Sequence, residues 1–135
     1  MRRLRRERYL DDAGFAARFA RSRIAGHGLG RYRVRTALRT RGVARDVAEA
    51  GLAQALAEVS EAEGLDAAAR RFWRGRRREE PRTRLRKLWA FLLRRGFPAE
   101  LVGERLRALW PRYRDALEGL EPVEAGSDEE NAGTS

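Results

Sequence analysis

One stretch of this chain occurs twice, 54 residues apart, and this repeat constrains the fold more than any other feature of the sequence. Residues 38–47 (LRTRGVARDV) are echoed by residues 92–101 (LLRRGFPAEL). A period of this length indicates a repeated supersecondary unit, each copy of which is too small to bury its apolar face alone. Such arrays present extended surfaces to other macromolecules, so we predict a binding protein and not an enzyme. Further matches at the same offset are Val34 with Leu88, Phe19 with Trp73, Arg23 with Arg77, and Leu52 with Leu106.

Every apolar pattern has helical spacing, which predicts an all-α chain. In the first copy we expect a helix to begin at Asp11 or Asp12, with Asp11 as its cap and Leu10 packed on Phe15. The glycine-rich run 26–30 ends this helix, because three glycines in five residues are costly within one.

The second helix of the first copy is predicted over residues 31–41, with Gly42 in the left-handed position that follows a helix. A third helix follows the turn at Val43, and Gly51 within it indicates a close approach by a neighbouring helix. The predicted inward positions of these two helices are Val34, Ala37, Leu38, Val47, Leu52, Ala55, Leu56 and Val59.

The second copy follows the same plan, with a helix opening at Leu65. Pro81 suits the first turn of the next helix, which ends at Gly96, and Pro98 suits the first position of the last helix. Pro111 is expected to kink or split that helix. The aromatic residues on these stripes are expected in the core rather than as base-stacking platforms: Phe15, Phe19, Phe72, Trp73, Trp89 and Trp110.

The charge of the chain is strongly asymmetric. Residues 1–117 hold 30 bases and 14 acids, a net charge of +16, against +10 for the whole chain. A field of this size attracts polyanions and also docks acidic protein surfaces. All the bases except Lys87 are Arg, which favours phosphate or carboxylate recognition, although a GC-rich genome gives the same bias.

The basic residues cluster on the second helix of each copy and between the copies. We predict that this stripe is a surface for a polyanion or an acidic protein partner, the alternative being an ordinary solvated face. The candidate residues are Arg31, Arg33, Arg35, Arg39, Arg74, Arg77, Arg78, Arg82, Arg84, Arg86 and Lys87.

No catalytic constellation is visible, and we expect no catalytic residue, cofactor or metal site. Cysteine is absent, and His27 is alone in a turn, which we interpret as an exposed residue. The glycines at 26–30 either form a simple turn or shape a helix N-terminus that accepts a phosphate beside Arg31. The carboxylates have the spacing of a solvated face: Asp46, Glu49, Glu58, Glu61 and Glu63.

Neither export nor membrane insertion is expected. The N-terminus lacks the apolar core of a secretion signal, and no stretch approaches the ~18 apolar residues of a membrane span. The absence of cysteine fits a reducing cytosol, so we predict a cytoplasmic protein.

An ordered series of short segments over residues 9–117 resembles the RecX family, the bacterial modulators of the RecA recombinase. The family is built from tandem three-helix repeats. Only residues 1–8 precede the first matching segment, so the usual first repeat is expected to be absent or reduced to a helix end. The segments are Tyr9–Asp12, Phe15–Phe19, Arg21–Arg23, Gly28–Leu38, Arg41–Val43 and Arg94–Phe97.

Helical spacing and this resemblance together predict an elongated, curved, right-handed array of helix-turn-helix-like units. We expect a helix remnant at residues 1–10, three-helix repeats at 11–63 and 64–120, and a disordered acidic tail at 121–135. The tail alternatively folds back on the arginine stripe and competes with a partner.

The resemblance implies a monomeric regulator that binds the RecA–DNA filament along its groove. It would limit filament extension, ATP hydrolysis and strand exchange in recombination, DNA repair and the SOS response, with contacts to single- or double-stranded DNA. The alternative is a small, basic helical protein that binds DNA or RNA directly.

Overall fold

The computed structural model describes the backbone of residues 2–120 and the side chains of Tyr9 and of residues 11–120. All regular structure within residues 2–120 is helical, which confirms the predicted all-α class. A short 3-10 helix at Pro111–Tyr113 precedes the last α-helix. The α-helices of this range are α1 (Arg2–His27), α2 (Arg31–Thr40), α3 (Arg45–Glu58), α4 (Glu61–Arg74), α5 (Pro81–Arg94), α6 (Ala99–Leu109) and α7 (Arg114–Leu120). The predicted acidic tail lies outside the described residues.

Two hydrophobic cores divide these helices into tandem units, as predicted. Unit one consists of α1–α3, and unit two consists of α4–α6 with α7 packed against them. The core of unit one contains Ala16, Phe19, Ala20, Ile24, Val34, Leu38, Val43, Val47, Ala48, Leu52 and Ala55. The core of unit two contains Leu65, Ala68, Ala69, Leu85, Leu88, Trp89, Leu92, Phe97, Val102, Leu106 and Leu117.

The repeated motif forms the same backbone turn in both units. Gly42 follows α2 with φ of 88°, and Gly96 follows α5 with φ of 95°. In each turn the glycine N–H and the next N–H, of Val43 or Phe97, donate to carbonyls in the last turn of the preceding helix. Both glycines therefore terminate their helices in the left-handed conformation, which confirms the prediction for Gly42 and the predicted helix end at Gly96.

Helix α1 begins earlier than predicted. It starts at Arg2, so Asp11 lies inside it and is not its cap. The residues before Asp11 are mostly Arg and Leu, which favour helix, and no Gly or Pro interrupts them. The predicted partner Leu10 lies outside the described side chains, and Phe15 is 37% exposed rather than in the core.

Two further boundaries differ from prediction. Helix α4 begins at Glu61, four residues before Leu65, because the Ser60 side chain caps it by accepting a hydrogen bond from the Glu63 N–H at 3.1 Å. The expected division of the repeats at residues 63 and 64 thus falls within the first turn of α4. Pro98 keeps an extended ψ of 140° and serves as the N-cap of α6, so it does not occupy the first helical position.

Other predictions about the helices are confirmed. Pro81 occupies the first turn of α5, and Pro111 ends the helical path of α6 so that α7 is separate. Gly51 meets α1 closely, because a Cβ at this position would lie 2.6 Å from the Cβ of Ala16.

The remaining aromatic side chains pack against the cores. Phe19 and Trp89 are buried, as expected. Phe72, Trp73 and Trp110 are partly buried around the second core. Phe72 stacks on Phe91 with ring centroids 4.7 Å apart, and Trp73 lies 5.0 Å from Trp110.

Candidate macromolecule-binding surface

Arg31 joins the two units at the first turn of α2. The Glu61 carboxylate accepts hydrogen bonds from the Arg31 backbone N–H at 2.8 Å, from Nε at 3.0 Å and from Nη2 at 2.7 Å. The side-chain hydrogen bond to Glu61 raises the pKa of the Arg31 guanidinium. The Glu61 carboxylate thus lies at this helix N-terminus where an external anion such as phosphate would otherwise bind. Arg31 is therefore a junction residue, and the alternative of a phosphate-accepting N-terminus beside it is wrong.

Glu61 is the residue that the sequence analysis missed, because its spacing matched a solvated face. It is only 5% exposed. A signal was available in its neighbour: Ser60, with Glu63 three residues later, has the pattern of a helix N-terminus. That pattern places Glu61 at the start of a helix, although not beside Arg31.

The glycine-rich run is the surface on which unit two docks. The Gly30 N–H donates to the Arg95 carbonyl at 2.8 Å, and the Tyr32 N–H donates to the Gly96 carbonyl at 3.0 Å. A Cβ on Gly30 would lie 2.3 Å from the Gly96 backbone, so this approach requires glycine. The Arg95 Nε also donates to the Gly28 carbonyl at 2.9 Å. Backbone contacts therefore hold the units together.

The other candidate arginines of α2 also have partners within the protein. A bidentate ion pair holds one of them, and the other two donate to carbonyl groups. The pairs are Arg35 with Glu49 (Nε–Oε2 2.5 Å, Nη2–Oε1 3.1 Å), Arg33 Nη1 with the Arg94 carbonyl (3.0 Å) and Arg39 Nη1 with the Val43 carbonyl (2.9 Å). These α2 arginines therefore stabilise the fold through hydrogen bonds and an ion pair within the protein.

Two candidate cations of α5 are similarly engaged. The Arg84 guanidinium lies over the Trp73 ring, 3.8 Å from its centroid, and its Nε donates to the Trp73 carbonyl at 3.1 Å. Lys87 pairs with Glu79, which also lies 3.6 Å from Arg76. The hydrogen bond from Lys87 is the main cause that lowers the pKa of Glu79.

The remaining five candidates form what we call the free arginine set: Arg74, Arg77, Arg78, Arg82 and Arg86. All are exposed, and none forms an ion pair with any side chain described in the structure. The first three line a shallow depression of about 380 Å³ after α4. Arg82 and Arg86 are four residues apart on α5 and so share a face. This set is the largest unneutralised part of the predicted stripe.

Glu80 fixes the start of α5, beside the turn that carries Arg77 and Arg78. Its carboxylate accepts hydrogen bonds from the N–H groups of Arg82 at 2.9 Å and Thr83 at 3.3 Å, and so caps α5. The hydrogen bond from the Arg82 N–H is the main cause that lowers the pKa of Glu80. A side-chain cap thus anchors the helix that follows the basic turn.

Little in the described side chains suggests metal chemistry. His27 is exposed, with its Nδ1 3.2 Å from the Ser22 carbonyl oxygen. Among residues 11–120 there is no group of three metal-ligating side chains. Within residues 2–120, none of the helices combines the length and the hydrophobicity of a membrane-spanning segment.

The sequences of the two units also match models of two domains from one known protein family. The family model of the RecX second three-helix domain matches residues 11–52, and that of the RecX third three-helix domain matches residues 60–106. The chain belongs to the RecX family. No solved structure matches the chain significantly.

Curated RecX-family relatives are similar along most of this chain. Regulatory protein RecX of Deinococcus radiodurans is 31% identical over 125 residues, which cover 93% of this chain and 54% of that protein. Regulatory protein RecX of Pseudomonas putida is 36% identical over 104 residues, which cover 77% of this chain and 64% of that protein. The chain thus aligns with between half and two thirds of the length of these RecX proteins.

Proposed function

We propose that this protein binds the RecA–DNA filament and mainly inhibits its extension, ATP hydrolysis and strand exchange in recombination and DNA repair. Membership of the RecX family supports a regulatory role. The free arginine set is the observation that carries the proposal, because five exposed cations without internal ion pairs lie around one turn and the helix after it. We infer a cytoplasmic, monomeric protein with two tandem repeats.

The proposed mechanism is electrostatic docking by unit two, with unit one held rigidly beside it. Exposed arginines complement acidic protein surfaces and accelerate encounter with them. The backbone hydrogen bonds at Gly30 and Tyr32 link the two units, so a contact made by one unit positions the other. A two-unit body of this kind is suited to bridge neighbouring recombinase protomers.

The test is a titration of ATP hydrolysis by the cognate RecA on single-stranded DNA. We expect inhibition well below one copy per recombinase protomer. A variant with Arg78→Glu, Arg82→Glu and Arg86→Glu should weaken inhibition on the order of tenfold. The reason is that these exposed cations raise the rate of association with an acidic surface and contribute to the affinity. Arg84 is left unchanged because it packs on Trp73.

A matched control carries Arg18→Glu, Arg45→Glu and Arg114→Glu. These arginines are also exposed and form no ion pair with the described side chains, and the change in net charge is identical. We expect the control to inhibit like the wild type. Equal inhibition by both folded variants would remove the free arginine set from the proposal.

Direct binding to nucleic acid is the second candidate, favoured by the same unneutralised arginines. A gel shift with single- and double-stranded DNA and RNA across a salt series distinguishes it. Tight binding that falls steeply with salt, together with no effect on RecA, would support this candidate over the first. Inhibition that appears only near saturation of the DNA would also indicate competition for the strand.

A further inference from the structure

A cavity of about 440 Å³ lies at the junction of the two units, and it does not include any member of the free arginine set. Its walls come from the end of α1, from one face of α4 and from the C-terminal half of α5. Alanine and phenylalanine side chains form its apolar part, and the glycine backbone at 26, 28 and 64 forms another part. Its volume is within the range of small-molecule sites.

The charges around this cavity are all positive. Arg71 and Arg95 line it, and no carboxylate is among its lining residues. Arg71 is exposed and has no partner among the described side chains. Burial lowers the pKa of the Arg95 guanidinium, and the nearby charges of Arg33 and Arg71 lower it further. The two arginines that line the cavity therefore have no carboxylate beside them to neutralise their charge.

Arg95 is held in a fixed orientation at this site. Its Nε donates to the Gly28 carbonyl at 2.9 Å, and its Nη2 donates to the His27 carbonyl at 2.5 Å. These carbonyls are neutral, so the guanidinium charge is not compensated by an acid. Its Nη1 has no hydrogen-bond partner among the described residues. A fixed guanidinium with an unused donor is prepared for an anionic oxygen.

We propose that the cavity binds a nucleotide, with Arg71 and Arg95 on the phosphate and the apolar wall at Ala67, Ala68 and Phe91 beside the nucleoside. A single carboxylate side chain would leave most of 440 Å³ unfilled, whereas a nucleotide has both the anionic oxygens and the bulk. The nucleotide is either free or one unit of a single strand. This site is independent of RecA binding by the free arginine set.

The test is a titration of 15N-labelled full-length protein with adenosine monophosphate, inorganic phosphate and a short oligothymidylate at constant ionic strength. We expect saturable shifts at the amides of Gly26, Gly28 and Gly64, with adenosine monophosphate binding more tightly than phosphate. Arg71→Gln should raise the Kd about tenfold, because it removes a charged hydrogen-bond donor. The control Arg70→Gln removes an exposed charge on the same helix that does not line the cavity, and should change the Kd less than about twofold.

Each outcome bears on the site. Binding of either adenosine monophosphate or the oligonucleotide through these glycines supports it and identifies the source of the nucleotide. Equal weakening by Arg71→Gln and Arg70→Gln, shifts confined to other amides, or no saturable shift would overturn it. Retained helicity of both variants excludes unfolding as the cause. The ATPase titration with RecA is read separately, so failure of one proposal leaves the other standing.

Discussion

The backbone N–H and the guanidinium of Arg31 both donate to the carboxylate of Glu61, 30 residues further along the chain. The first turn of α2 is thus completed by the first turn of α4. A helix N-terminus has N–H groups without intrahelical acceptors, and this helix has no side-chain cap of its own at Gly30. Unit two supplies the missing acceptor.

Replacement of this acceptor should destabilise the protein. We expect Glu61→Ala to lower the free energy of unfolding by about 1–3 kcal/mol, because it leaves the Arg31 N–H without its acceptor. Urea denaturation measures the change. Glu58→Ala is the control, because its ion pair with Arg21 is exposed on both sides and should contribute at most about 1 kcal/mol. Equal losses of unfolding free energy in the two variants would show that the Arg31–Glu61 pair stabilises the protein no more than an exposed ion pair does.

Close backbone contact at the junction gives a second prediction. Gly30→Ala should cost about 1–3 kcal/mol, because the new methyl group overlaps the Gly96 backbone at 2.3 Å. Its φ of −90° suits alanine, so any cost reports the contact and not backbone strain. Gly26→Ala serves as the control: nothing lies within 4 Å of its Cβ position, and helix propensity should stabilise it by up to about 1 kcal/mol. Thermal unfolding that ranks the two variants in the reverse order would contradict the observed docking.

Arg84 should behave as a structural residue. We expect Arg84→Lys to destabilise unit two by about 1 kcal/mol, because lysine loses the planar stacking on Trp73 and the fork that reaches its carbonyl. Arg86→Lys, on the exposed face of the same helix, should be nearly neutral in the same urea titration. A similar cost for both changes would mean that the Trp73 contact contributes little.

The Glu80 cap predicts a dependence of stability on pH. Its pKa is lowered from an ordinary value of 4.5 in the folded protein, so its stabilisation is present above about pH 4.5 and is lost as the pH falls through the folded value. The difference in melting temperature between the wild type and Glu80→Gln should therefore narrow from pH 6 to pH 3. A constant difference would show that the charge of the cap is unimportant.

Much of the fold is predictable from local pattern. The helical spacing and the left-handed Gly42 are each carried by a few neighbouring residues, and the structure confirms both. The 54-residue repeat shows that the same local patterns occur a second time. The predicted start of α1 was wrong. Asp11 is a residue type that favours the N-cap position, but here it lies inside a helix that begins at Arg2. A cap residue indicates where a helix is able to begin, and the preceding residues decide whether it does.

The candidate site was less predictable because partners distant in sequence decide which charges are neutralised. Arg31 and Arg78 look alike in the sequence, yet only Arg31 meets a buried carboxylate. Similarly, the glycines at 26–30 predicted a turn, whereas the docking of Gly96 on Gly30 depends on how two units pack. Composition locates a basic stripe, but tertiary contacts divide it into structural and available cations.

The shared backbone hydrogen bonds between the units also determine how the chain comes apart. The N–H groups of Gly30 and Tyr32 donate to the carbonyls of Arg95 and Gly96, more than 60 residues away. Opening unit one therefore leaves these carbonyls without donors, and opening unit two leaves these N–H groups without acceptors. Such coupling favours all-or-none denaturation over the stepwise loss of independent modules. We expect circular dichroism and tryptophan emission to report one coincident transition, and a fragment of residues 1–60 to fray at the start of α2.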